Sequence, residues 1–156
     1  MASWTGFARD APEFAAAGER LLKGADGLPI AFLATATPAG VPHLGPVCPI
    51  FCAEHLYLSA GAKTPKVRDL RAGGAFSLHA FLGGNDEEFQ VRGRATEVQG
   101  GGERGAVHDA IPFAAFDRSD PIFRFSIEHA LWVFWERAGQ PDTRAVRSRW
   151  SAASAR

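Results

Sequence analysis

Apolar runs of strand length follow one another along this chain with little more than a Gly- or Pro-rich turn between them. Residues 30–37 read I-A-F-L-A-T-A-T, P-A-G at 38–40 makes a turn, and V-P-H-L-G-P-V-C-P-I-F-C at 41–52 continues as a second strand. A-E-H at 53–55 is a hairpin connection into L-Y-L-S-A at 56–60. A-F-S-L-H-A-F-L at 75–82 and E-F-Q-V-R-G-R-A-T-E-V at 88–98 alternate with the period of two expected of strands. Much of the chain's content of 17 glycines and 10 prolines lies between these runs. Strands joined this closely cannot form the strict βαβα alternation of a parallel sheet. The predicted class is therefore mainly β: an antiparallel barrel of six strands with peripheral helices.

Three helices are predicted around it. Residues 8–23 are Ala-rich with Pro12 near the first turn, and Gly24 and Gly27 end the segment. A short basic helix follows residue 64 and stops at Gly73-Gly74. A third covers residues 103–116, weakened by Pro112. The sixth strand is the run at 123–136, with Phe123, Phe125, Ile127, Leu131, Val133 and Trp135 expected on one face. Residues 1–156 are expected to form one domain, with 1–27 and the Gly/Pro/Arg-rich tail 138–156 as extensions.

Charge and composition exclude several functions. The formal net charge is zero, which gives no footprint for nucleic acid. No apolar run is long enough to span a membrane, and the first ten residues lack the basic-then-apolar pattern of a secretory leader. With only two cysteines, a cytoplasmic location is expected.

One segment points to chemistry. In A-K-T-P-K-V-R-D-L-R, residues 62–71, Thr64 reads as an N-cap and Pro65 as the first helical residue. Lys63 and Lys66 then flank the positive end of the helix dipole, where acids are the usual choice, and no acid precedes Asp69. A bound anion reverses that penalty, because free backbone N–H groups and ammonium groups converge on it. Val67 and Leu70 claim the core side, and Arg68 and Arg71 are read as solvated or ion-paired.

The order of these pieces is strand, turn, P-H-x-x-P-V, hairpin, L-Y-L-S, K-x-x-K-V-R-x-L-R, strand and Q-V-R-G-R-A. It resembles the pyridoxamine 5′-phosphate oxidase-like family over roughly residues 28–100. The resemblance implies an FMN-binding split barrel that dimerises with itself and holds FMN in clefts at the subunit interface. By position it assigns Val47, Cys48 and Pro49 to the strand along the flavin ring, Ser59 and Ala60 to the end of the next strand, and Thr64 and Lys66 to the phosphate. Pro65 stands where the family has Arg, so Lys63 is taken as the second phosphate charge. Gln90 matches the family's flavin-edge glutamine and Trp135 its C-terminal tryptophan, while Arg147 or Arg144 is the candidate from the second subunit. Gly45 and Ile50 replace an Arg and a Lys of the enzyme proper, which argues against pyridoxamine phosphate oxidation itself.

Read without the resemblance, several of these residues have plainer roles. Gln90 is an outward polar residue of an alternating strand, although its carboxamide suits a flavin edge by donating and accepting. Cys48 and Cys52 lie about 13 Å apart on a strand, too far to share a metal, and read as small buried residues. Five scattered histidines form no zinc pattern, and no metal site is expected; His79 reads as a structural histidine near the cofactor side. Pro42, Pro46 and Pro49 remove ladder donors, so their strand is irregular or at an edge. Trp132, Trp135 and Trp150 serve equally as core or interface.

The leading functional expectation is an FMN-dependent oxidoreductase acting on a small molecule, with no side-chain acid or base identified as catalytic. The deazaflavin F420 in the same cleft is the alternative cofactor. A flavin- or haem-binding module without turnover and a barrel that has lost its cofactor are the non-enzymatic readings. No G-x-G-x-x-G follows a strand, so no resident nicotinamide domain is expected.

Overall fold

The computed structural model describes residues 1–24, 27–112 and 116–153. Strands β1 (Ala31–Ala36), β2 (Pro42–Val47), β3 (Pro49–Cys52), β4 (His55–Ser59), β5 (Ala75–Ala80), β6 (Glu88–Glu97), β7 (Ile122–Glu136) and β8 (Arg144–Ser151) join one curled antiparallel sheet. Its order is β2-β1-β5-β6-β7-β4-β3, with β8 on β7. Around it lie helices α1 (Trp4–Asp10), α2 (Pro12–Lys23), α3 (Pro65–Gly73) and α4 (Gly101–Asp109). The mainly β, split-barrel class expected from the strand order is the class observed.

The strand number is eight where six were expected, for two local reasons. Cys48 breaks the run at 41–52 into β2 and β3, between Pro46 and Pro49, which have no N–H to donate. The Arg-rich tail supplies β8, which pairs with the second half of β7 from His129↔Ser151 to Glu136↔Arg144. The first half of β7 pairs with β4 along the same edge. Between them Ala2 exchanges two 2.8 Å backbone hydrogen bonds with Ile127, so the N-terminus closes the gap.

Two helix boundaries also differ. The segment read as one helix over 8–23 is two, because Pro12 cannot continue α1 and instead opens α2 at its first position. The helix read over 103–116 ends at Asp109; Phe113, Ala114 and Ala115 lie outside the described residues.

β7 carries a bulge. Its register with β6 passes from Arg92↔His129 to Gly93↔Ile127, which leaves Glu128 as the extra residue. Gly93 makes this approach feasible, since a Cβ there would sit 2.0 Å from the Ser126 carbonyl oxygen. The bulge resets the alternation. Phe123, Phe125 and Ile127 are buried on the expected face, but beyond the bulge Ala130 and Trp132 turn to the core and Val133, though buried, lies on the other face. Leu131 and Trp135, expected inward, do not: Leu131 is half-buried and Trp135 is 40 % exposed.

The inner face of the sheet and the helices share the main core, which includes Leu33, Leu78, Phe89 and Phe125. Burying each such side chain contributes about 1.5–3 kcal/mol. From the N-terminal helices come Trp4, Phe7 and Phe14, with Trp4 and Phe7 meeting edge to face at 5.4 Å. Among the described residues no helix is long and apolar enough to cross a membrane.

Candidate functional site

Helix α3 starts as its sequence dictates. Thr64 is its N-cap in extended conformation (φ −76°, ψ 150°), and Pro65 is the first helical residue. Val67 and Leu70 are buried, and no acid lies in the first turn. Gly74 ends the helix with φ +66°, its N–H donating to the Leu70 carbonyl at 2.9 Å. Arg71 is ion-paired with Glu97 at 2.7 Å and Arg68 is exposed, so both lie apart from the helix start.

The start of α3 borders a cavity of about 160 Å³ beside the edge strand β2, lined by Leu33, Thr35, His43, Gly45, Pro65 and Lys66 among others. Lys66 Nζ stands 4.0 Å from where a Cβ on Gly45 would be. The absent side chain of Gly45 thus leaves its ammonium room over β2. Beneath the cavity is a group that the spacing of residues did not reveal. Asp69, only 2 % exposed, accepts hydrogen bonds from Thr35 Oγ1 at 2.8 Å and from His43 Nδ1 at 2.6 Å. Burial works to raise its carboxyl pKa. The hydrogen bonds from His43 and Thr35, and the charges of His43 and Arg68, outweigh burial and hold it below the usual value.

Two hydroxyls on the chain entering α3 are buried without a partner: Ser59 Oγ at the end of β4 and Thr64 Oγ1. Thr64 makes no capping bond to its own helix. A buried hydroxyl without a partner costs about 1–3 kcal/mol, and such groups call for an explanation. Neither Ser59 nor Thr64 lines the cavity beside β2; Lys66 and the helix N-terminus, which border it, suit an anion.

The other residues singled out in the sequence are distributed. Lys63 is exposed. Val47 and Pro49 are buried, Ala60 packs against the main core, and Cys48 sits half-buried in the break between β2 and β3. Burial pushes the Cys48 thiol up, so it is a neutral thiol rather than a thiolate. Cys52 is also half-buried, and both cysteines are free. Ile50, where the enzyme proper has a Lys, is 1 % exposed and belongs to a second apolar cluster with Tyr57 and Ile122. His79 Nδ1 lies 2.6 Å from the Ala80 carbonyl, as suits a structural histidine.

Gln90 lies elsewhere, on the outward face of the sheet. It lines a cavity of about 480 Å³ with Arg92, His129, Leu131, Arg149 and Trp150. Trp135 borders a third hollow beside Asn85 and Gly139, and Arg147 is exposed on β8 opposite Val133. Within one chain, Lys66, Gln90 and Trp135 therefore serve three separate cavities.

No family model matches this sequence, and no curated protein does. Solved structures match over most of the chain. A pyridoxamine 5′-phosphate oxidase-related, FMN-binding protein from Nostoc punctiforme superposes with a TM-score of 0.58 at 11% identity, covering 88% of this chain and 95% of the other. The fold is the pyridoxamine 5′-phosphate oxidase-like split barrel. A NimC/NimA family protein from Clostridium acetobutylicum shares this split barrel with a TM-score of 0.58 at 13% identity, covering 92% and 94%. So does a haem-binding protein from Mycobacterium smegmatis, at 0.54 and 17% identity over 75% of this chain. The present chain spans about half of that protein's length, 52%.

Proposed function

We propose that this chain is an FMN-binding oxidoreductase that acts on a small molecule as a homodimer. The observation that carries the reading is the start of α3, where Lys66 stands over Gly45 and the Ser59 and Thr64 hydroxyls are buried without partners. FMN, once bound, supplies the redox chemistry; the chain binds and orients it. Lys66 at the cavity, with the Ser59 and Thr64 hydroxyls on the chain leading into α3, would hold the phosphate. A second copy accounts for the separation of Gln90 from Lys66. The outward face exposes Leu44, Phe81 and Leu82, with Leu44 72% exposed, an apolar surface suited to a partner of the same sequence. A split-barrel neighbour described as FMN-binding supports the cofactor.

The absorption spectrum of the purified protein tests this reading. A flavin spectrum with FMN released on denaturation supports it; a deazaflavin would reassign the cofactor to F420. Colourless protein that also fails to bind added FMN overturns both.

A second reading, haem binding, is favoured by one feature. His129 lines the 480 Å³ outward cavity between Arg92 and Arg149, and its Nδ1 lies 2.9 Å from Ser151 Oγ. That leaves Nε2 as the free ring nitrogen, with cations beside it for carboxylates. A haem neighbour of the same fold supports it. An intense Soret band on adding haem, lost in His129→Ala, is the expected signature; a spectrum unchanged by that substitution counts against it.

A further inference from the structure

We propose that His43, held by the buried Asp69, is the second anion-binding side chain of the α3 cleft, in the place that position alone would give to Lys63. The inference deepens the phosphate-binding part of the reading above and rests on it. Lys63 is exposed and does not line the cavity, whereas His43 does. His43 and Gly45 are two apart on β2, so they share one face with Cα atoms roughly 7 Å apart. Lys66 Nζ is poised over Gly45. The imidazole and the ammonium thus border the same small cavity.

The hydrogen bond from Nδ1 to Asp69 assigns the ring's other edge to the cavity. Asp69 is locked in turn by Thr35, the residue directly opposite His43 in the β1–β2 register. The imidazole is therefore placed by buried groups rather than by solvent. A long exposed lysine must lose side-chain entropy to reach the same point.

Charge gives this arrangement a direction. The ionisable groups facing His43 from α3 are Asp69 and Lys66, with Arg68 acting on Asp69 from the exposed side; β1 contributes the neutral Thr35. With His43 neutral, Asp69 and Lys66 cancel, and the lone pair of Nε2 faces the occupant. With His43 protonated, the cleft carries a net positive charge and presents a second N–H donor. The protonated ring is therefore the form that holds an anion, together with Lys66.

Sulfate is a suitable probe, because it is a tetrahedral dianion that brings no flavin ring with it. Titration followed by the imidazole resonances of the whole chain at one fixed pH should show His43 perturbed by sulfate. In His43→Gln affinity should fall about tenfold, and weaker binding persists through Lys66. In Lys66→Ala affinity falls as well. Sulfate that leaves the His43 resonances unmoved in the wild-type protein overturns the proposal, and this arm needs no variant to fold. Unchanged sulfate affinity in folded His43→Gln overturns it too. Failure to bind FMN alongside a sulfate response at His43 sinks the flavin reading alone; tight FMN binding without that response sinks only this one.

Discussion

The cleft at α3 and the cavity on the outward face of β6, β7 and β8 are both polar hollows, but they are built differently. At α3 the functional groups are fixed from beneath. Asp69 is buried, Thr35 and His43 lock it, and Lys66 borders the cavity they underlie. On the outward face Arg92 and Arg149 are long, exposed side chains, and the cavity is three times larger. A single chain can organise the first site by itself. The second needs something laid over it, a ligand or another protomer, to fix its side chains. Selectivity for a phosphate is therefore expected at α3, and coupling to assembly on the outward face.

Substitutions test that contrast, beginning with the largest effect. Removing the Asp69 side chain leaves the buried Thr35 hydroxyl without a partner and frees His43; Asp69→Ala should cost about 3 kcal/mol in chemical denaturation, the upper end for a buried group left unpaired. A loss no greater than that of a surface substitution would show that the cleft is not braced from below. Lys66→Ala should weaken FMN binding by roughly 10- to 100-fold, the range expected when a hydrogen bond to a charged group worth about 1.5–3 kcal/mol is lost. Riboflavin binding should hardly change, and equal losses for both ligands would remove Lys66 from the phosphate.

Acid stability offers a subtler comparison. The folded carboxyl of Asp69 titrates below its unfolded value of about 3.9. Its contribution is therefore fully present above that value and is lost as pH falls through the folded one. Wild type should lose more stability than Asp69→Asn between pH 5 and pH 2; matching slopes would contradict the assigned hydrogen bonds. The smallest effect belongs to the outward face. Arg149→Ala should leave stability within about 0.5 kcal/mol of wild type, while shifting the monomer–dimer balance in sedimentation. An unchanged balance would separate that face from assembly.

The sequence showed some of this plainly. Pro65 after Thr64, Gly74 ten residues on and a first turn without acids marked α3 and its charge. Alternation around Gln90 marked β6. What stayed hidden depends on residues that meet only in three dimensions. Asp69 reads as one more charge on a basic helix, and His43 lies 26 residues away. Asp69 is an unspecified position of its motif and the P-H-x-x-P-V that contains His43 gives it no role; only the β1–β2 register and the seat of α3 bring them to 2.6 Å. The bulge at Glu128 was equally silent, because one extra residue in a ladder inverts the faces of β7 without altering its composition. β8 was masked by its arginines, which are tolerated on a strand whose side chains stay largely in water.

The central claim is that the start of α3 selects a phosphate ester. Paired titration of the wild-type protein with FMN and riboflavin, read by flavin fluorescence at neutral pH, addresses it directly. FMN should bind at least tenfold more tightly than riboflavin. Equal affinity for the two, or no binding of either, would contradict it.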